Sequence, residues 1–129
     1  MKIVVYGNSD KDEITGFSSE EKFIIYIREN IFKDYNGRYQ YSQSRDADII
    51  ILSREGKAYG YFEISGTENP TIEDTTIAKN PRKVYLVSKS TLFNNPVRLN
   101  DIGIAGYQFG KSVTEEQFEK IKNLGGVST

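Results

Sequence analysis

Two closely spaced apolar segments dominate the hydrophobic pattern of this chain. The first is a continuous run of branched residues from Ile49 to Leu52, and the second extends from Ala58 to Ile64. Residues 54–57 between them include Gly56 and are typical of a turn, so the pattern predicts a central β-hairpin. Consecutive apolar positions, rather than alternating ones, indicate strands that are covered on both faces.

Three other segments predict short strands, namely Met1–Tyr6, Val84–Ser88 and Val97–Ile102, each of which carries several branched apolar residues. Residues 66–81 show neither a helical nor a strand period and predict a long loop, which is unusual in a compact domain and often functional. The sequence Phe93-Asn94-Asn95-Pro96 predicts a turn before the last of these strands.

Two capping boxes predict the helices. Ser18 and Glu21 form an S-x-x-E pattern ahead of apolar residues spaced four apart, so we expect a helix that ends near Asp34 to Gly37. Thr114 and Gln117 form a T-x-x-Q pattern, which predicts a second helix.

The second predicted helix has further local signals. Val113 and Phe118 are placed to form a hydrophobic staple around the cap. An apolar stripe is predicted to follow, and Gly125-Gly126 is predicted to end the helix; the stripe consists of Phe118, Ile121 and Leu124.

The order of predicted elements indicates a single α+β domain over residues 1–129. Five to six short strands with two main helices favour a small curved β-sheet or barrel flanked by those helices, since closure of a sheet removes its exposed edges. A chain of 129 residues is long enough to bury one core.

Composition narrows the chemistry. The chain has no cysteine and no histidine, which excludes disulfides, thiol nucleophiles, the common zinc sites and a Ser-His-Asp relay. It also shows no secretory leader and no apolar stretch near 18 residues, so we expect a cytoplasmic protein. The net charge is −1, yet residues 75–100 carry five Lys or Arg side chains and no Asp or Glu, which predicts one basic side.

The acidic residues give weak support for an enzyme. Asp48 and Glu63 flank the two hairpin strands as the carboxylates of metal-dependent nucleases do, but Ser65 stands where a Glu-x-Lys motif requires lysine. No phosphate-binding glycine loop and no carboxylate pair with catalytic spacing is found. We therefore predict no enzymatic activity and no cofactor.

Residues 39–45, ahead of the first hairpin strand, combine aromatic rings, amides, hydroxyls and a cation in the sequence Tyr-Gln-Tyr-Ser-Gln-Ser-Arg. Such a mixture suits a pocket for a flat polar ligand, because rings stack on its faces and polar groups bond its edge.

The same region resembles the centre of PUA-like domains of the EVE and YTH families. Those families place an aromatic-serine pair before a strand, then a glycine-containing turn and a second strand; the matching segments here are Tyr41-Ser42, Asp48–Ser53 and Gly56–Ile64. Residues 6–9, 84–87, 95–99 and 109–121 resemble later or flanking motifs of these families in the same order. The resemblance therefore covers most of the chain.

This resemblance implies binding of DNA or RNA that carries a methylated base, flipped out of its strand into an aromatic pocket. The chain has no tryptophan for the second wall, so further tyrosines would replace it. The implied base-binding residues are Tyr6, Asn8, Ser9, Tyr39, Tyr41, Ser42 and Tyr107. Basic residues are predicted to contact the nucleic-acid backbone, namely Arg45, Lys79, Arg82, Lys83 and Lys89.

Similar domains occur as small stand-alone proteins and as specificity modules of modification-dependent restriction systems of the McrBC type. The second case implies a fused or associated AAA+ GTPase and nuclease as a partner. An adaptor of the same fold that binds a nucleoside, another small molecule or a protein is the alternative that the residues leave open.

Overall fold

The computed structural model describes residues 1–7, 21–22, 24–25, 38–41, 46–54, 56–69, 83–104 and 111–126, and it describes only the backbone of residues 6, 7, 38–41 and 83. Within these ranges the protein is a sheet-dominated α+β structure. The strands are β1 (Ile3–Gly7), β2 (Arg38–Tyr41), β3 (Ile49–Arg54), β4 (Lys57–Glu68), β5 (Lys83–Arg98) and β6 (Lys111–Val113).

The six strands form one mixed sheet in the order β2-β5-β4-β3-β1-β6. Strands β1 and β3 pair in parallel, and every other described pair is antiparallel. The parallel pair arises because the chain between β1 and β3 crosses from one end of the sheet to the other. Two short strands, β2 and β6, lie at the edges of this order.

The predicted hairpin is confirmed at the centre of the sheet. Strands β3 and β4 are antiparallel neighbours, and Gly56 in the turn has φ +83°, a left-handed conformation that glycine adopts without a Cβ clash. All six residues of β3 are buried, as the unbroken apolar run predicts. The Met1–Tyr6 strand is also confirmed, as β1.

Alternate residues of the central strands face two separate hydrophobic clusters, one on each side of the sheet. The front face includes Ile49 and Ile51, and the back face includes Ile50 and Leu52. Apolar side chains from β1 and β4 join both clusters. Strand β3 therefore has hydrophobic cover on both sides.

The front face packs against the C-terminal helix α1 (Glu115–Gly125), whose Phe118 and Ile121 belong to the front cluster. The ring of Phe118 meets that of Tyr61 edge to face, with 5.0 Å between the ring centroids. On the back face, Ile24, one of the helical residues 21, 22, 24 and 25, packs against the second cluster. The predicted cap at Ser18 lies outside the described residues.

Strand β5 differs from the sequence prediction. Residues 93–96 were expected to turn the chain, but β5 runs without interruption from Lys83 to Arg98 because it pairs with β4 along most of its length. The pairing shifts at three points along β4, after Ala58, Glu63 and Ile64, and such irregularities bend strands. Residues 99–102, expected to be extended, form a 3-10 turn.

The predicted loop at residues 66–81 also begins later than expected. Strand β4 continues to Glu68, and its last residues, Gly66, Thr67 and Glu68, pair with Leu86, Tyr85 and Val84. Residues 70–82 lie outside the described ranges.

The C-terminal helix begins at the predicted capping box. The Thr114 hydroxyl accepts the Gln117 N–H at 3.1 Å, and the Gln117 side-chain oxygen accepts the Thr114 N–H at 3.0 Å. The helix ends at Gly126, whose φ is +69°. Leu124 was expected in the apolar stripe, but it is 60% exposed, and Gly125 holds the inward position instead.

We predict that Thr114→Ala lowers the free energy of unfolding by about 1 kcal/mol, because the backbone N–H of Gln117 loses the hydroxyl that caps it. Thr114→Ser is the matched control, since it keeps the hydroxyl. Urea unfolding measures both variants; equal stability of the alanine and serine variants would contradict a capping role.

Gly125 allows α1 to approach β5 closely. A Cβ built on this residue would lie 2.7 Å from Cγ of Phe93, which is itself buried. We predict that Gly125→Ala destabilises the protein, because overpacking of about 1–3 kcal/mol exceeds the helix propensity gained at a terminal position. Gly66→Ala is the control: its Cβ would meet Leu86 at an ordinary 3.6 Å, so its thermal midpoint should change much less. Equal midpoints for the two variants would show that α1 adjusts freely.

Candidate functional site

The structure describes five of the residues predicted to bind nucleic acid. Asn8, Ser9, Ser42, Arg45, Lys79, Arg82 and Tyr107 lie outside the described ranges. The backbone positions of Tyr6, Tyr39, Tyr41 and Lys83 are described, and for Lys89 the side chain is described as well. The geometry of the candidate site therefore rests on strand register.

Two predicted base-binding tyrosines lie in edge strand β2, which pairs with the beginning of β5. Tyr39 is directly opposite Tyr85, and Tyr41 is directly opposite Lys83. No local pattern in the sequence predicts a strand at residues 38–41. Register thus brings a residue predicted to stack on a base next to one predicted to contact phosphate.

The same pairing aligns the end of β2 with the beginning of β5 at one end of the sheet. Strand β2 ends at Tyr41, and β5 begins at the residue opposite, Lys83. In the sequence, residues 42–45 directly follow Tyr41 and residues 79–82 directly precede Lys83, and each segment includes two predicted contacts. We call this end of the sheet, formed by the ends of β2 and β4 and the beginning of β5, the β2 end.

Tyr6, in β1, is far from the β2 end. It is opposite Leu52 in β3, and Leu52 is opposite Gly60 near the start of β4. The β2 end lies beyond Glu68, the last residue of β4. Residues 8 and 9 follow directly from β1 at the end where β3 finishes. Register therefore joins Tyr41 with Lys83 and separates both from Tyr6 by most of the length of β4.

Lys89 lies part of the way along β5, exposed and opposite the half-buried Glu63. Glu63 is in turn opposite Ile49, and its backbone carbonyl accepts a hydrogen bond from the Ser88 hydroxyl at 3.1 Å. Ser65 makes a similar bond to the carbonyl of Leu86 at 3.3 Å. These hydroxyls supply hydrogen bonds next to the places where the pairing of β4 with β5 shifts.

Asp48 has a structural contact that its sequence position did not suggest. Its carboxylate accepts the backbone N–H of Lys2 at 2.7 Å, and its own N–H donates to the Lys2 carbonyl at 2.8 Å. The Asp48 carbonyl accepts the N–H of Ile64 at 2.8 Å. Asp48 thus connects the start of β1 to β3 and β4. Across the described residues, no three His, Cys, Asp or Glu side chains gather in a group that could hold a metal ion.

The opposite end of the sheet carries a group of cations that the sequence analysis missed. Arg54, Lys57 and Arg98 end or begin β3, β4 and β5, and they lie directly opposite one another across the three strands. We call them the hairpin-end cations. Only the register of β5 reveals this group, because a turn at residues 93–96 would not place Arg98 beside the hairpin.

None of the helices in the described ranges combines the length and the apolar character that crossing a membrane requires.

Comparison with known proteins bears on the fold alone. No protein-family model matches the chain, and no curated protein matches it. The crystal structure of protein Atu2648 from Agrobacterium tumefaciens is similar, with a TM-score of 0.53 at 10% sequence identity, and the match covers 98% of this chain and 94% of that one. The match extends over nearly the whole of both chains, and at such low sequence identity it shows a shared overall fold and nothing more.

Proposed function

We propose that this chain is a nucleic-acid-binding domain of PUA-like fold, of the EVE or YTH type, that recognises a methylated base flipped out of its strand. In this proposal the base stacks on tyrosine rings near the β2 end, and basic residues of the same end contact the phosphates. The domain performs no catalysis and needs no cofactor.

The observation that carries the proposal is the pairing of Tyr41 with Lys83. Directly opposite residues of antiparallel strands have Cβ atoms about 5 Å apart, so the register places a tyrosine position beside a lysine position on one face of the sheet. A flipped base and its phosphate belong to one nucleotide, and a stacking ring beside a cation offers a contact to each.

The neighbouring segments support the same assignment. Residues 42–45 and 79–82 adjoin Tyr41 and Lys83 in the chain, and they supply Ser42 for the edge of the base and Arg45, Lys79 and Arg82 for phosphates. Hydroxyl groups hydrogen-bond base edges, whereas Lys and Arg are the usual phosphate contacts.

The fold is compatible with a PUA-like domain in two respects. The sheet is mixed and dominated by antiparallel pairs, and strand irregularities accompany β4 and β5, where a curved sheet needs them. Closure into a barrel and the flanking of the sheet by two main helices are parts of the proposal.

Two settings fit such a domain. It acts alone on DNA or RNA, or it directs an AAA+ GTPase and nuclease, fused or associated, to modified DNA in a restriction system of the McrBC type. The second setting rests on family analogy.

The test is binding of labelled oligonucleotides, single- and double-stranded, with and without N6-methyladenine or 5-methylcytosine. We expect wild type to prefer one modified strand and Tyr41→Ala to weaken that binding about 5- to 150-fold, because stacking contributes about 1–3 kcal/mol per base. Tyr41→Phe is the matched control, since it retains the ring. The far-ultraviolet circular dichroism of each variant should match that of wild type.

Lys83→Gln separates the two kinds of contact. We expect it to weaken modified and unmodified strands equally and to reduce the slope of log K against log salt by about 1. No binding of wild type to any strand at low salt would overturn the proposal. Salt-insensitive binding of free nucleosides would instead favour the small-molecule adaptor.

A further inference from the structure

The hairpin-end cations form one row across three strands. Arg54 of β3 is opposite Lys57 of β4, and Lys57 is opposite Arg98 of β5. Their neighbours Ala58 and Val97, opposite each other, belong to the front cluster, so the three cations project to the back face. Arg54 is buried, Lys57 is half-buried and Arg98 is exposed. Positive charge thus extends from the interior to the surface.

This row is held in place by backbone contacts. The N–H of Leu99, a fully buried residue, donates to the carbonyl of Gly56 in the hairpin turn at 2.9 Å. The 3-10 turn that follows is closed by a bond of 3.0 Å from the N–H of Ile104 to the Leu99 carbonyl. The turn of the hairpin and the end of β5 therefore form one fixed unit.

The register places like charges next to one another. Like charges directly opposite on paired strands repel each other. Arg54 and Lys57 also interact with other groups of the protein. Asp101, three positions after Arg98 in the chain, is exposed.

We infer that the hairpin-end cations form a second contact for the phosphates of the nucleic acid, with Arg98 and Lys57 as the groups that touch it. A polyanion places negative charge next to this row of cations and so lessens the repulsion between neighbouring members. Buried Arg54 adds positive potential behind the two accessible groups, where salt screens it less. This inference deepens the proposed function and rests on it.

The position of the row fits a long, continuous ligand. Strand β4 separates the hairpin-end cations from the β2 end, and its 12 residues extend over at most about 40 Å. Duplex DNA rises about 3.4 Å per base pair, so roughly 12 base pairs span both ends. The row also lies where β1 ends, since Gly7 is opposite Ser53, the residue before Arg54. A short oligonucleotide reaches one end, and a longer one reaches both.

The experiment measures the salt dependence of binding to a 24-mer and a 6-mer that carry the same central modified base, for wild type and Arg98→Gln. We expect Arg98→Gln to reduce the salt slope for the 24-mer by about 1 and to leave the 6-mer unchanged. The double variant Lys57→Gln with Arg98→Gln should lose about 2. Lys120→Gln is the matched control, because Lys120 is an exposed cation on α1, away from the hairpin.

Thermal unfolding of the free variants separates binding from folding. Arg98→Gln should unfold at the same temperature as wild type or at a higher one, because the substitution removes a like-charge neighbour of Lys57. A lower unfolding temperature together with weaker binding would assign Arg98 to the fold and overturn the inference.

The two proposals fail in different ways. Preference for the modified base with an unchanged 24-mer slope in Arg98→Gln would overturn the second contact and leave the proposed function standing. A reduced slope without any preference for the modified base would support the second contact and overturn base recognition. Absence of wild-type binding to the 24-mer at low salt would overturn both.

Discussion

Neither face of strand β3 is exposed to solvent, because Ile50, Ile51 and Leu52 are completely buried and face alternate sides of the sheet. Each side must therefore be covered, and the rest of the fold supplies that cover. Helix α1 packs on the front through Phe118 and Ile121, and Ile24 packs on the back. Burial of apolar surface on both faces is the main favourable term for such a strand. Strands β1 and β4 pair with the two edges of β3 and extend both apolar faces.

Local signals predicted the elements whose structure is decided locally. The hairpin follows from apolar runs around Gly56, and the capping box of α1 follows from Thr114 and Gln117, which are three positions apart at the start of the helix. The helical stripe was predicted with one error. The position two turns after Phe118 is residue 125, and it is a glycine, so Leu124 one residue before it points to solvent.

Long-range pairing decided the features that the sequence could not predict. A turn is the local preference of Asn94, Asn95 and Pro96, yet β5 continues through them. Strand β4 pairs with the residues of β5 before and after this segment, and the Asn94 N–H donates to the Gly126 carbonyl at 2.9 Å. The candidate site depends on the same kind of information. No local pattern states that Tyr41 is opposite Lys83 or that Arg98 is opposite Lys57, since each pair joins residues about 40 positions apart. The residue types along the sequence therefore predicted which residues bind the ligand. The strand register then showed which of them lie at the same end of the sheet.

The pairing of the first strand with the last has a consequence for synthesis of the protein. Ile3 of β1 is opposite Val113 of β6, and the amino group of Met1 lies 4.0 Å from the Glu115 carboxylate of α1. A ribosome releases residue 113 long after residue 3, so the emerging chain carries β1 with one open edge until translation reaches β6. The sheet is completed only after residue 113 has been synthesised, and during that interval one edge of β1 is open to pairing with another nascent chain.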